Sequence, residues 1–165
     1  MSDFTYANLI LAKNTEIAKA HLEKGAYLLD YDRWACVLNP NNTQAVALSD
    51  KIPVLYYAHA EDHGMEFAIL QHGKTVSSFC VYWEQKTTDK LFSNINAENF
   101  GLFDFSQAEI SQIKALLSPQ NAADSEDIFS MVQELILMLG LEELEFVAWD
   151  YVTGNEEHYA VIAKG

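Results

Sequence analysis

Apolar and polar positions alternate in short runs through most of the first half of the chain. Through much of the second half they recur every three to four residues. Period two marks a half-buried strand and a 3.6-residue period marks an amphipathic helix, so the pattern predicts strands first and helices later. Phe4–Leu11 is rich in β-forming residues and reads as a strand. A helix follows from Asn14 or Thr15, with Ile17, Ala18 and Leu22 on one face and Gly25 as its stop. Two short strands near 26–29 and 33–38 are joined at Asp30-Tyr31-Asp32, with Trp34, Cys36 and Leu38 on one face of the second. Thr43 is positioned to cap a short helix over Ala45, Val46 and Leu48, which ends before Pro53. Val54–His59, Met65–Gln71 and Thr75–Trp83 are three β-rich runs separated by turns short enough to make an antiparallel meander.

Residues 84–105 have no regular period and read as a connection that packs down through Phe100, Phe103 and Phe105. Ser106 and Glu109 have the spacing of a capping box, and Ile110, Ile113 and Leu117 continue as an apolar face. After a second connection over 118–125, Ile128, Met131, Val132, Leu135 and Leu139 form the stripe of another helix that stops at Gly140. Leu144–Trp149 and His158–Ala163 read as two last strands, paired across a turn at Thr153-Gly154-Asn155. Together these elements predict an α+β fold. Its largely antiparallel sheet has about seven strands, with three or four helices packed mainly on one face, in one domain over residues 1–165.

Composition changes this picture in one respect. The 165 residues are half apolar and 12% aromatic, which is ample for a core and excludes a largely disordered chain. The charge, however, is −14, from 10 Lys+Arg against 24 Asp+Glu. Residues 84–165 hold 15 of the acids and only four of the bases. Such a surplus repels phosphate backbones and anionic lipid, so neither nucleic acid nor a membrane surface is an expected partner. It is compatible with a basic protein partner, which it would attract over roughly a Debye length.

The candidate chemistry is sparse. No P-loop, dinucleotide-binding glycine pattern, serine elbow or zinc-protease motif is present. No catalytic residue or cofactor is therefore predicted, and an enzyme is not the favoured reading. His59 and His63 flank Glu61 and Asp62, but a strand end followed by a tight turn does not prepare a metal site, and none is predicted. Cys36 and Cys80 alternate with apolar neighbours and are expected to be reduced, buried thiols. With no basic, apolar leader in its first residues and no membrane-length apolar run, the chain reads as cytoplasmic.

The acids near the end of the chain are the strongest candidate site. Glu142, Glu143 and Glu145 precede the expected 144–149 strand, and Asp150, Glu156 and Glu157 follow it, interleaved with Trp149 and Tyr151. If the last two strands pair, these eight residues gather at one end of the sheet, where an aromatic among acids can anchor a basic partner.

Three stretches carry a resemblance: Tyr6-Ala7-Asn8-Leu9-Ile10-Leu11, the hairpin Phe67–Val76, and Gly140–Phe146. In their order the chain resembles a family of small bacterial cytosolic proteins of unknown function. The resemblance implies a full-length single domain and supplies no activity. The expected function is that of a non-catalytic interaction or regulatory protein, of the immunity type, binding a basic partner. The alternatives are an enzyme of unrecognised type or a small-ligand domain built on Tyr56, Tyr57, Trp83 and Phe103.

Overall fold

Antiparallel pairing of strands that follow one another in the chain accounts for most of the architecture. The computed structural model describes residues 4–60, 63–83, 90–91, 95–118, 125–144 and 146–165, without the side chains of 90–91 and 125–127. The strands are β1 (Phe4–Leu11), β2 (Tyr27–Tyr31), β3 (Trp34–Leu38), β4 (Val54–Ala60), β5 (Gly64–Gln71), β6 (Lys74–Tyr82), β7 (Lys90–Leu91) and β8 (Val161–Lys164). Among the described residues they form one eight-stranded sheet in the order β7-β6-β5-β4-β1-β3-β2-β8, every described pair antiparallel. The α+β class and the antiparallel sheet are as the sequence pattern predicts. The β4–β5–β6 meander closes at His72-Gly73, where φ is +53° and +70°. Two successive positive φ angles match the right-handed twist of a two-residue hairpin.

Period two along each strand divides the side chains between two core layers. Leu9, Trp34, Cys36, Leu55, Phe67 and Phe79 share one layer with Ile110, Ile113, Ile128, Val132 and Leu135. Those partners belong to the two longest described helices, α3 (Gln107–Leu116) and α4 (Ser125–Leu139), so the main helical cover lies on this face. Ile10, Leu28, Val37, Val54 and Leu70 form the other layer, with Ala18 and Leu48 from the short helices α1 (Thr15–Ala20) and α2 (Val46–Ser49). The capping box opens α3 as its spacing requires. Ser106 Oγ accepts from the Glu109 N–H at 3.3 Å, and Glu109 Oε2 accepts from the Ser106 N–H at 2.7 Å.

Several expectations are corrected. The hairpin turn lies at Asp32-Arg33, because Tyr31 pairs with Trp34. The first helix stops at Ala20, well before Gly25. The 84–105 connection, by contrast, packs down through Phe100, Phe103 and Phe105 as expected, with a 3₁₀ turn over Ala97–Phe103, while 84–89 and 92–94 lie outside the described residues. Of the expected 118–125 connection, 119–124 lie outside the described residues. The largest change is at 144–149, where none of the described residues is in a strand. Leu141, Leu144 and Val147 are buried, and Phe146 has φ +56°, which breaks an extended run. Trp149–Val152 is instead a short helix, α5. β8 therefore pairs with β2, and the expected terminal hairpin does not form.

Candidate functional site

The fifteen residues of α4 are held to the sheet by the predicted stripe: Ile128, Met131, Val132, Leu135 and Leu139 are all buried. The helix ends in a Schellman motif. The Gly140 N–H donates to the Leu137 carbonyl at 3.1 Å, and the Leu141 N–H donates to the Ile136 carbonyl at 3.0 Å. Gly140 takes φ +68°, a conformation with little penalty only for a residue lacking Cβ. Trp34 Nε1 donates to the Leu139 carbonyl at 2.8 Å, which pins this end of the helix to β3.

That end of the helix faces the β2–β3 turn across a cleft of about 350 Å³, lined by Tyr31, Asp32, Arg33, Gly140, Glu142, Glu143 and Leu144. Asp32, Glu142 and Glu143 are exposed. The negative end of the helix dipole adds to their charge. Arg33 is the one cation among the described lining residues, and the protein uses it internally. Its Nη2 donates to the Phe103 carbonyl at 2.8 Å, and its guanidinium lies 4.0 Å from the Phe105 ring centroid. The Tyr31 hydroxyl is pushed well above its ordinary pKa, first by burial and then by nearby groups that include Glu143. It stays a neutral donor on the cleft wall.

Of the eight sequence-predicted residues seven are described, and the structure does not bring those seven together. Glu142 and Glu143 line the cleft. Glu156 sits by the other end of β2, where Tyr27 Oη donates to its Oε1 at 2.8 Å and Lys164 Nζ lies at 3.3 Å. Tyr27 and Tyr31 are four residues apart on one strand, about 13 Å. The backbone N–H of Glu156 itself, then Tyr27 and Lys164, hold the Glu156 carboxyl below the usual range. Glu157 lies 3.5 Å from His158, and Asp150 accepts from Asn42 Nδ2 at 2.9 Å. The Tyr151 carbonyl accepts from Asn155 Nδ2 at 3.1 Å. Glu145 lies outside the described residues. Trp149 is half-buried against the core, and its Nε1 donates to the Gly25 carbonyl at 2.8 Å. It braces the fold rather than projecting from it.

Sequence reasoning missed Tyr31, Asp32, Arg33 and Phe146. The first three reach the cleft through tertiary contact alone, which no local pattern signals. Phe146, two residues beyond the cleft-lining Leu144, is 46% exposed. Its carbonyl accepts from Tyr159 Oη at 3.3 Å, and Tyr159 is itself near Tyr31. The exposed aromatic of this segment is therefore Phe146, not the half-buried Trp149.

The remaining candidates separate. Tyr57 and Phe103 are buried in one layer while Tyr56 faces the other, so the four aromatics suggested for a ligand pocket do not line one cavity. His59 packs against Tyr57 and Trp83, and His63 against Phe4. Among the described residues no group of three or more His, Cys, Asp or Glu side chains is placed to hold a metal ion. Cys36 is fully buried, and burial pushes its thiol far up. Cys80, expected to be buried, is only partly so, on the face of the sheet opposite α3 and α4. No described helix is long and apolar enough to cross a membrane. No known family model, curated protein or solved structure matches the chain.

Proposed function

We propose that this protein is a non-catalytic binding protein that engages a basic protein partner at the cleft between the β2–β3 turn and the end of α4. The observation that carries the reading is the cleft itself. Among the described residues, three exposed acids and the negative end of a fifteen-residue helix border it against a single cation, Arg33, which donates to the Phe103 carbonyl. A Lys or Arg side chain of the partner would enter between Asp32, Glu142 and Glu143, and Phe146 would pack on the apolar surround. The surplus of acids over residues 84–165 would steer the approach. An immunity-type or regulatory role, in which an acidic protein covers a basic one, fits this chemistry.

A photo-crosslinking phenylalanine analogue at position 146, in cells of the source organism, captures whatever protein docks there. The captured protein is expected to be basic, and its association rate should fall steeply with added salt. Glu142→Lys with Glu143→Lys should slow association by about tenfold or more and change dissociation little, since rim charges act on encounter. A partner whose association ignores both salt and the double reversal would remove the proposal.

A further inference from the structure

The second face of the sheet carries a cluster that the acidic cleft does not use. Antiparallel register places Tyr6, Ala58, Glu66 and Cys80 directly abreast on β1, β4, β5 and β6. Tyr56 and Tyr82 project from the same face in the neighbouring rows. The Tyr82 ring passes close to Gly64, where a Cβ would come within 2.9 Å of its Cδ1 and, more severely, within 2.2 Å of the Val81 carbonyl oxygen. Tyr82 is 45% exposed, while Tyr56 is almost covered at 8%. Glu66 is half-buried in the middle of an interior strand, a position that disfavours glutamate. Among the described residues it makes no ion pair.

The carboxylate charge is nevertheless felt by its neighbours. It adds to burial in raising the Tyr56 hydroxyl to about 12 and the Cys80 thiol above its ordinary value. The Tyr82 hydroxyl rises to about 12, chiefly through its hydrogen bond with Cys80, with Glu66 contributing. The phenols therefore remain protonated and offer hydroxyl oxygens and ring faces, both attractive to a cation. A divalent metal is a poor match, because hard ions need several charged oxygens and zinc needs three or four nitrogen or sulfur ligands. An anion is repelled, and a purely apolar ligand would leave the carboxylate desolvated.

We infer that this cluster is a binding site for a small organic ammonium ion, held by the Glu66 carboxylate and by the rings and hydroxyls of Tyr6 and Tyr82 above Ala58, with the covered Tyr56 beside them. Aromatic rings with an acidic group are a recurrent solution for alkylated ammonium ligands. The site stands independently of the acidic cleft, which borders the other core layer.

The test titrates choline, and separately dimethylbutanol, its uncharged carbon isostere, into protein with carbon-labelled tyrosine at fixed ionic strength. Choline should produce saturable shifts of the Tyr6, Tyr56 and Tyr82 ring resonances, and the isostere should bind at least about tenfold more weakly. Glu66→Gln, which keeps the shape, should weaken choline binding about tenfold. Tyr82→Leu should weaken it separately if the glutamine variant is poorly folded. Glu142→Lys should leave it unchanged, which separates this site from the cleft. Failure of choline to saturate, equal binding of the isostere, or unchanged affinity in both variants would overturn the inference.

Discussion

Phe146 gives the most direct test of how the segment after α4 is built. Its φ of +56° places a bulky L-residue in the left-handed region, where Cβ crowds the following carbonyl at a cost of roughly 1–2 kcal/mol. At an ordinary position, Gly is less stable than Ala by roughly 0.5–1 kcal/mol, because it loses more backbone freedom on folding. Here the order should invert. Phe146→Ala and Phe146→Gly both remove the half-exposed ring, so the lost packing cancels between them. Only glycine relieves the backbone. Subtracting its entropic penalty leaves Phe146→Gly more stable than Phe146→Ala by about 0.5–1 kcal/mol. The hydrogen bond from Tyr159 Oη goes to the backbone carbonyl, so both variants keep it. Urea unfolding should show the higher midpoint for the glycine variant at equal slope. A higher midpoint for the alanine variant would mean that position 146 is not left-handed, and the account of why 144–149 fails to form a strand would fall with it.

Trp149→Ala should lower stability by about 3 kcal/mol, from lost half-buried packing plus the N–H bond to Gly25. Trp149→Phe should recover most of that loss, and an unchanged melt for the alanine variant would return Trp149 to the surface. Thiol labelling of the native protein should reach Cys80 at alkaline pH, since that thiol is only partly buried and its pKa is raised, while Cys36 should react only on unfolding. Fast labelling of Cys36 in the folded protein would contradict its burial. The Glu156 carboxyl titrates lower in the folded chain than in the unfolded one, so its contribution is present above the unfolded value, near pH 4.3, and fades as pH falls through the folded pKa. Stability curves of the wild type and Glu156→Gln should therefore run parallel above about pH 5 and converge in acid. Curves parallel throughout would mean that Tyr27 and Lys164 do not favour the ionised form.

The elements that were legible in the sequence are those whose signal is local. The capping box at Ser106 and Glu109, the Gly140 stop and the β4–β5–β6 meander each rest on residues that touch near neighbours in the chain. The stripe on α4 was legible because five buried positions at helical spacing leave few alternatives. The 144–149 stretch misled for a matching reason. Leu144, Phe146 and Ala148 alternate as a strand does, yet what fixes the segment is contact with distant residues. Thr5 Oγ1 donates to the Leu144 carbonyl at 2.6 Å, and the Tyr6 N–H donates to the Val147 carbonyl at 2.8 Å. Each satisfies one carbonyl without starting a ladder, so the chain is free to turn at Phe146 and enter α5.

The candidate site was half legible for the same physical reason. Charge is readable from composition, and it pointed to Glu142 and Glu143. Which acids act together is decided by where the backbone goes. Glu156 has a cation and a phenol of its own, Glu157 lies beside His158, and Asp150 receives an amide. An acid already satisfied within the fold has less field to offer a partner than one facing open water. The three acids left at the cleft come from two segments that the fold brings together: the β2–β3 turn supplies Asp32, and the end of α4 supplies the other two. Trp34 links those segments. Its place on β3 follows from strand periodicity, and its indole N–H ties that strand to the Leu139 carbonyl. Position and charge at the cleft therefore depend on a core residue that bears neither. Any change that frees the end of α4 from Trp34 would disperse the acidic surface without removing a single carboxylate.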